Sequence, residues 1–271
     1  MKSLMLSISA LCVAMCATAQ SFTVHQGDQS TGFNAAKVDS VTFSTANVSN
    51  DNNGGSATSG PRKINAKWCA LGTSITWYND HPNRFTKGYE SRLLEQLKFS
   101  SWVNKGVNGG CISSALNQVE KADYYTIEHG INDWGNHIPV GTMDDYINNT
   151  NNGTFAATYR QLIERIFAVN PDAKIVLCTP RKGYGFSGYL PDHWYDPLQG
   201  IYLKEYADIV REIAAYEGFP VADFFNECGG QHNLARLSID VALHPNDAGY
   251  QMMANVLQKA MEKVIVEYAD E

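Results

Sequence analysis

The sequence predicts an α/β protein built in three layers, an α/β/α sandwich with helices on both faces of a parallel sheet of about five strands. Three observations predict it. From Ile64 onward, short apolar runs alternate with longer segments whose apolar residues recur at three- and four-residue spacing. Alternation of this kind joins parallel strands through helical crossovers, and the right hand of those crossovers puts helices on both faces. The chain is also large enough, since 271 residues that are 44% hydrophobic can bury a sizeable core without disulfides or metals.

Residues 1–19 stand apart from that fold. Met1-Lys2 gives a positive start, Leu4 to Cys16 is mostly apolar, and Ala17-Thr18-Ala19 fits a small-x-small cleavage site. Together these describe a secretory signal peptide, which predicts a secreted or periplasmic protein. The run is too short to span roughly 30 Å of hydrocarbon. A lipid anchor at Cys12 or Cys16 ranks lower, because Leu11 and Met15 rather than small residues precede those cysteines. Residues 20–45 read as a short β-rich segment, with strands at Ser21–Val24 and Val38–Phe43 around the turn formers Gly27-Asp28 and Thr31-Gly32. Residues 46–63, polar and rich in Asn, Gly and Ser, read as a linker.

Residues 64–271 form the main domain. Strands are expected at Lys67–Gly72, Ser101–Lys105, Tyr124–Glu128, Lys174–Thr179 and Val221–Phe224, and helices at Tyr89–Leu97, Thr154–Val169, Leu198–Tyr216 and Tyr250–Val264. A net charge of −7 without a Lys/Arg cluster argues against a nucleic-acid partner or an anionic membrane surface. No internal run of about 18 apolar residues spans a membrane in the mature chain. Outside the signal, Cys69, Cys111, Cys178 and Cys228 lack the close pairing of a zinc or thiol-redox site, and one disulfide among them stays open. Oligomeric state is not legible.

In a sheet of this type, ligands gather beyond the carboxyl ends of the strands, so the chemistry belongs in the loops there. The first strand ends in Gly72-Thr73-Ser74-Ile75-Thr76, which presents a hydroxyl but lacks the second glycine of a G-x-S-x-G elbow. The second ends in Asn104-Lys105-Gly106-Val107-Asn108-Gly109-Gly110, where glycines can expose backbone N–H groups. The third runs into Gly130-Ile131-Asn132-Asp133, offering an amide donor at the same edge, and Asp240 to Asn246 carries His244-Pro245 ahead of the last helix. Each piece alone has a bland reading as turn chemistry or a helix cap.

Taken in order, the four pieces resemble the SGNH/GDSL hydrolases over roughly residues 64–269. The resemblance implies a flavodoxin-like sandwich and a serine esterase or acylhydrolase. It further implies that Ser74 is the nucleophile and His244 the base, with Gly109 and Asn132 joining the Ser74 amide as oxyanion donors. Two positions depart from the family pattern. Thr73 replaces the aspartate that usually precedes the serine, and the family's acid position three residues before the histidine holds Val241. Asp240, one residue further back, is the expected acid, with a Ser–His dyad as the other possibility.

The chemistry does not depend on the family name. A serine hydroxyl needs a base to take its proton, and imidazole can accept and return a proton near neutrality. A carboxylate behind the ring fixes its tautomer. No cofactor is needed, and no HExxH or clustered ligand spacing suggests a metal. Trp77, Tyr78, Trp134 and Trp194 lie near strand tips as candidate substrate-binding aromatics. With export, they point to acetyl esters of a carbohydrate, so that the partner is a small-molecule or oligosaccharide ester. The competing readings are a lysophospholipase-like or generic short-chain acylhydrolase, and a glycan-binding domain without catalysis.

Overall fold

The computed structural model describes residues 21–26, 29–34, 62–78, 87–183, 194–196, 199–230, 232–239 and 243–265. The expected signal, the run Val38–Phe43, most of the linker and Asp240 lie outside these residues. The chain divides into two units, Met1–Ser56 and Ala57–Glu271. In the first, β1 (Ser21–Gln26) pairs antiparallel with β2 (Gln29–Asn34), with Gln26 opposite Gln29. The partner of β1 is therefore the segment running through Thr31-Gly32, which had been expected to turn. A hairpin of adjacent segments satisfies the backbone with a very short connection.

The second unit is the three-layer sandwich. Its sheet holds β3 (Arg62–Gly72), β4 (Leu97–Gly106), β5 (Tyr124–Glu128), β6 (Lys174–Cys178) and β9 (Val221–Ala222), all parallel, in the order β4-β3-β5-β6-β9. All of β5 is buried, as a central strand covered on both faces must be. Side chains alternate between two cores. Cys69, Leu71, Tyr125, Ile127, Ile175 and Leu177 face one way, and Trp68, Ala70, Tyr124, Val176 and Cys178 face the other.

Helices close both faces. The first core is sealed by α6 (Phe155–Val169) and α7 (Leu203–Glu217), through Phe155, Tyr159, Leu162, Tyr206, Val210 and Ile213. The second is sealed by α2 (Tyr89–Leu94) and α9 (Asp247–Met261), through Tyr89, Leu93, Tyr250, Met253 and Leu257. Fully burying each such side chain contributes about 1.5–3 kcal/mol, so the two apolar stripes rather than helix propensity hold the layers together. Among the described residues no helix is long and apolar enough to cross a membrane, and the four cysteines of this unit are free thiols.

Short elements make up the carboxyl edge of the sheet. They are α1 (Ser74–Trp77), α3 (Ile112–Ala115), α4 (Ile131–Gly135), α5 (Met143–Ile147), α8 (Phe224–Glu227) and a small antiparallel pair, β7 (Tyr195–Asp196) and β8 (Ile201–Tyr202). That pair delays the start of α7 to Leu203, where a helix had been expected from Leu198. Chain order reverses between β3 and β5, and α1 and α4 follow directly from those two strands. The switch-point crevice is thus where Ser74 and Asn132 emerge.

Candidate active site

Ser74 is the first residue of a helix only four residues long. So short a helix cannot hold itself, and four other elements hold it instead. Thr73 caps it by accepting from the Ile75 N–H. The Thr73 hydroxyl and N–H both donate to Glu128 Oε2 at the end of β5, at 2.7 and 3.2 Å. The Thr76 hydroxyl lies 2.7 Å from Tyr89 OH on α2 and 3.3 Å from the same Glu128 oxygen. From β4, Asn104 Nδ2 donates to the Thr76 carbonyl at 2.7 Å. From α9, Tyr250 OH donates to the Ile75 carbonyl at 2.9 Å. Ser74 is left 5% exposed.

His244 arrives from the opposite end of the sequence, 170 residues away, and its Nε2 lies 2.9 Å from Ser74 Oγ. Its segment is clasped by backbone and side-chain bonds. Ile239 N–H donates to the His244 carbonyl, Asn246 N–H to the Leu237 carbonyl, and Asn246 Nδ2 to the Arg236 carbonyl. Asn246 also caps α9 by accepting from the Gly249 N–H at 3.1 Å. The buried Arg181 guanidinium donates to the Leu237 carbonyl and Ser238 Oγ at 3.2 and 3.1 Å. The Tyr78 ring lies 4.5 Å from the His244 ring, centroid to centroid. Asp240 itself is outside the described residues.

The expected oxyanion donors lie in the two neighbouring segments that follow β4 and β5. Gly109 has φ +70°, a conformation that favours glycine, and open space where a Cβ would be. Asn132 on α4 is 6% exposed, and its Nδ2 donates to the Gly110 carbonyl at 3.1 Å, which ties the two donor loops together. The Ser74 N–H is the first amide of α1 and so has no partner within the helix.

Of the four aromatics expected to meet substrate, Trp77 and Trp194 are half-buried. Tyr78 is 4% exposed and packs on His244. Trp134 requires correction. Its ring is wholly buried in the core and its Nε1–H donates to the Ile201 carbonyl at 3.3 Å. Two residues along a helix rotate a side chain by about 200°, so Asn132 faces the site while Trp134 faces inward. Glu128, Arg181 and Tyr250 escaped the sequence reading as supports of the site, because their partners lie in distant segments.

Burial dominates the electrostatics under the site. It pushes the His129 imidazolium down to about 3, so that ring is neutral near pH 7. Burial also raises the Asp133 carboxyl to about 7, against the hydrogen bond that its Oδ1 accepts from the Ile112 N–H at 2.9 Å. A raised carboxyl holds its proton in the folded chain at a pH where the unfolded chain has released it. Its contribution to stability therefore falls as pH rises from about 4 to 7. Asp133→Asn, which does not titrate, should gain on the native protein across that window by on the order of 3 kcal/mol. Urea unfolding of both at pH 5 and pH 7.5 measures it, and an unchanged difference would refute the assignment.

The comparisons with known proteins agree with this architecture. A model of the GDSL-like lipase/acylhydrolase family matches residues 70–252, a span holding Ser74, Gly109, Asn132 and His244. The chain is similar to a solved structure described as a possible lipase from Chitinophaga pinensis, at 27% identity over 74% of this chain and 100% of that one, with TM-score 0.61. It is also similar in fold to a protein from Lactobacillus plantarum (21% identity, 75% and 100% covered, TM-score 0.63). A lipase/acylhydrolase from Enterococcus faecalis shares that fold too (15% identity, 76% and 99% covered, TM-score 0.53). No curated protein matches. The family model takes in well over half of the chain, which therefore belongs to the GDSL-like lipase/acylhydrolase family and is a serine ester hydrolase.

Proposed function

We infer that this chain removes short acyl groups, acetyl above all, from esters of carbohydrate outside the cytoplasm. The single observation that carries the reading is the 2.9 Å contact between Ser74 Oγ and His244 Nε2. At that distance the imidazole takes the hydroxyl proton as Oγ bonds to the carbonyl carbon of the ester. The Ser74 N–H, the Gly109 N–H and Asn132 Nδ2 then receive the charge that develops on the carbonyl oxygen, and losing one such donor costs about 3–4 kcal/mol of barrier. As the tetrahedral centre collapses, His244 returns the proton to the departing alcohol. Water then repeats the sequence on the acyl-enzyme, releasing the acid and restoring Ser74. The expected acid is Asp240, whose carboxylate would fix the accepting tautomer of His244, with a Ser–His dyad as the alternative.

The half-buried Trp77 and Trp194 support a sugar as the alcohol, since an aromatic face suits a pyranose ring. The apolar run before Ala17-Thr18-Ala19 supports export. The test is a series of p-nitrophenyl esters of increasing acyl length, run beside acetylated oligosaccharides. Highest kcat/KM on acetyl and release of acetate from the oligosaccharides are expected. A preference for long acyl chains would overturn the acetyl reading, and inactivity on the oligosaccharides would overturn the carbohydrate one.

A further inference from the structure

Glu128 is a carboxyl with no exposure to solvent, at the carboxyl end of the central strand β5. One of its oxygens does all the work. Oε2 accepts from the Thr73 N–H, the Thr73 hydroxyl and the Thr76 hydroxyl, while Oε1 has no hydrogen-bond partner among the described residues. The ionisable groups around it are Asp133 on α4, Tyr89 on α2, Tyr159 on α6, Cys178 on β6 and Tyr250 on α9. These are an acid, neutral hydroxyls and a thiol, so the hydrogen bonds from α1 and its cap are what offset the burial of this group. A wholly buried carboxyl with one bare oxygen is a poor stabilising device, and a glutamine or an apolar side chain would fill the space at lower cost. Residues that break such a rule are expected where function requires them.

What Oε2 holds is the peptide that carries the nucleophile. Thr73 is extended, with φ −85° and ψ −161°, and its ψ angle sets the direction of the Ser74 N–H. The same bonds fix where α1 begins, and hence where Ser74 Oγ points. We propose that Glu128 is a positioning residue for catalysis. Together with Thr73 it orients the Ser74 hydroxyl toward His244 and the Ser74 N–H toward the oxyanion, the task an acidic residue at position 73 could otherwise perform locally. The inference rests on the reading of Ser74 as the nucleophile.

Glu128→Gln separates this role from a structural one. The variant should melt at the same temperature as the native chain or higher. Its kcat on p-nitrophenyl acetate should nevertheless fall by about 10- to 100-fold with KM within about twofold, as misplacement of a reacting group predicts. Thr73→Val, which keeps the shape and removes the hydroxyl, should lose kcat in the same way, and Thr73→Ser should recover most of it. This pair keeps the test decisive if Glu128→Gln does not fold. Phosphonylation of Ser74 Oγ by a fluorophosphonate, with loss of fluoride, is read in parallel by intact mass. A native chain left unlabelled would remove the nucleophile reading and this one with it. A native chain that is labelled, with Glu128→Gln or Thr73→Val labelled and turning over at the native rate, would overturn the role of Glu128 alone.

Discussion

Ser74→Ala should lower kcat on p-nitrophenyl acetate by about 10³- to 10⁶-fold while leaving KM and the melting temperature nearly unchanged. The size of the effect follows from what the hydroxyl does. On the proposed reading it forms the bond to substrate, and among the described residues its side-chain hydrogen bond is the 2.9 Å one to His244. The capping of α1 belongs to Thr73, and its tethering to Thr76, Asn104 and Tyr250, so the fold does not depend on the serine oxygen. His244→Ala should cost about as much, and the double variant little more, because a nucleophile without its base and a base without its nucleophile are equally idle. Initial rates with circular dichroism melting check all three. Retained turnover in Ser74→Ala would dismiss this serine as the attacking group.

Gly106→Ala should be strongly damaging although this residue is not one of the expected reacting groups. A Cβ at this end of β4 would lie 2.3 Å from the Trp77 nitrogen and 2.8 Å from its Cα. Both are backbone atoms, so no side chain can rotate away. Either β4 withdraws or α1 shifts, and α1 carries Ser74. Overpacking of this kind costs about 1–3 kcal/mol in stability, and a displacement near 1 Å at the nucleophile costs about 100-fold in rate. The expected result is a lower melting temperature together with a kcat loss larger than the lost stability explains. A variant that melts lower but turns over normally would mean that α1 is held elsewhere.

The middle of the sheet was legible because β5 and nearly all of β6 are buried and mostly apolar. Tyr124–Glu128 and Lys174–Cys178 agree with expectation to within a residue. The extended start of β3 was hidden, because Arg62, Lys63 and Asn65 are polar and the chain bulges between Ile64 and Lys67. Leu97 and Phe99 were hidden differently, since Leu97 also fits the apolar spacing of the helix before it. The short helices that present Ser74 and Asn132 have too few residues to show any period. The ordering of glycine, serine, asparagine and histidine motifs still marked the site. Its supports were beyond reach, because a buried carboxyl meeting a threonine 55 residues earlier leaves no local signal.

Ser74 and His244 stand 170 residues apart, and Tyr250 on α9 reaches back to the Ile75 carbonyl beside the serine, so the pair is a property of the whole domain and of no single segment. A proteolytic fragment that lacks either half cannot assemble it, and on the proposed reading would be inert toward esters.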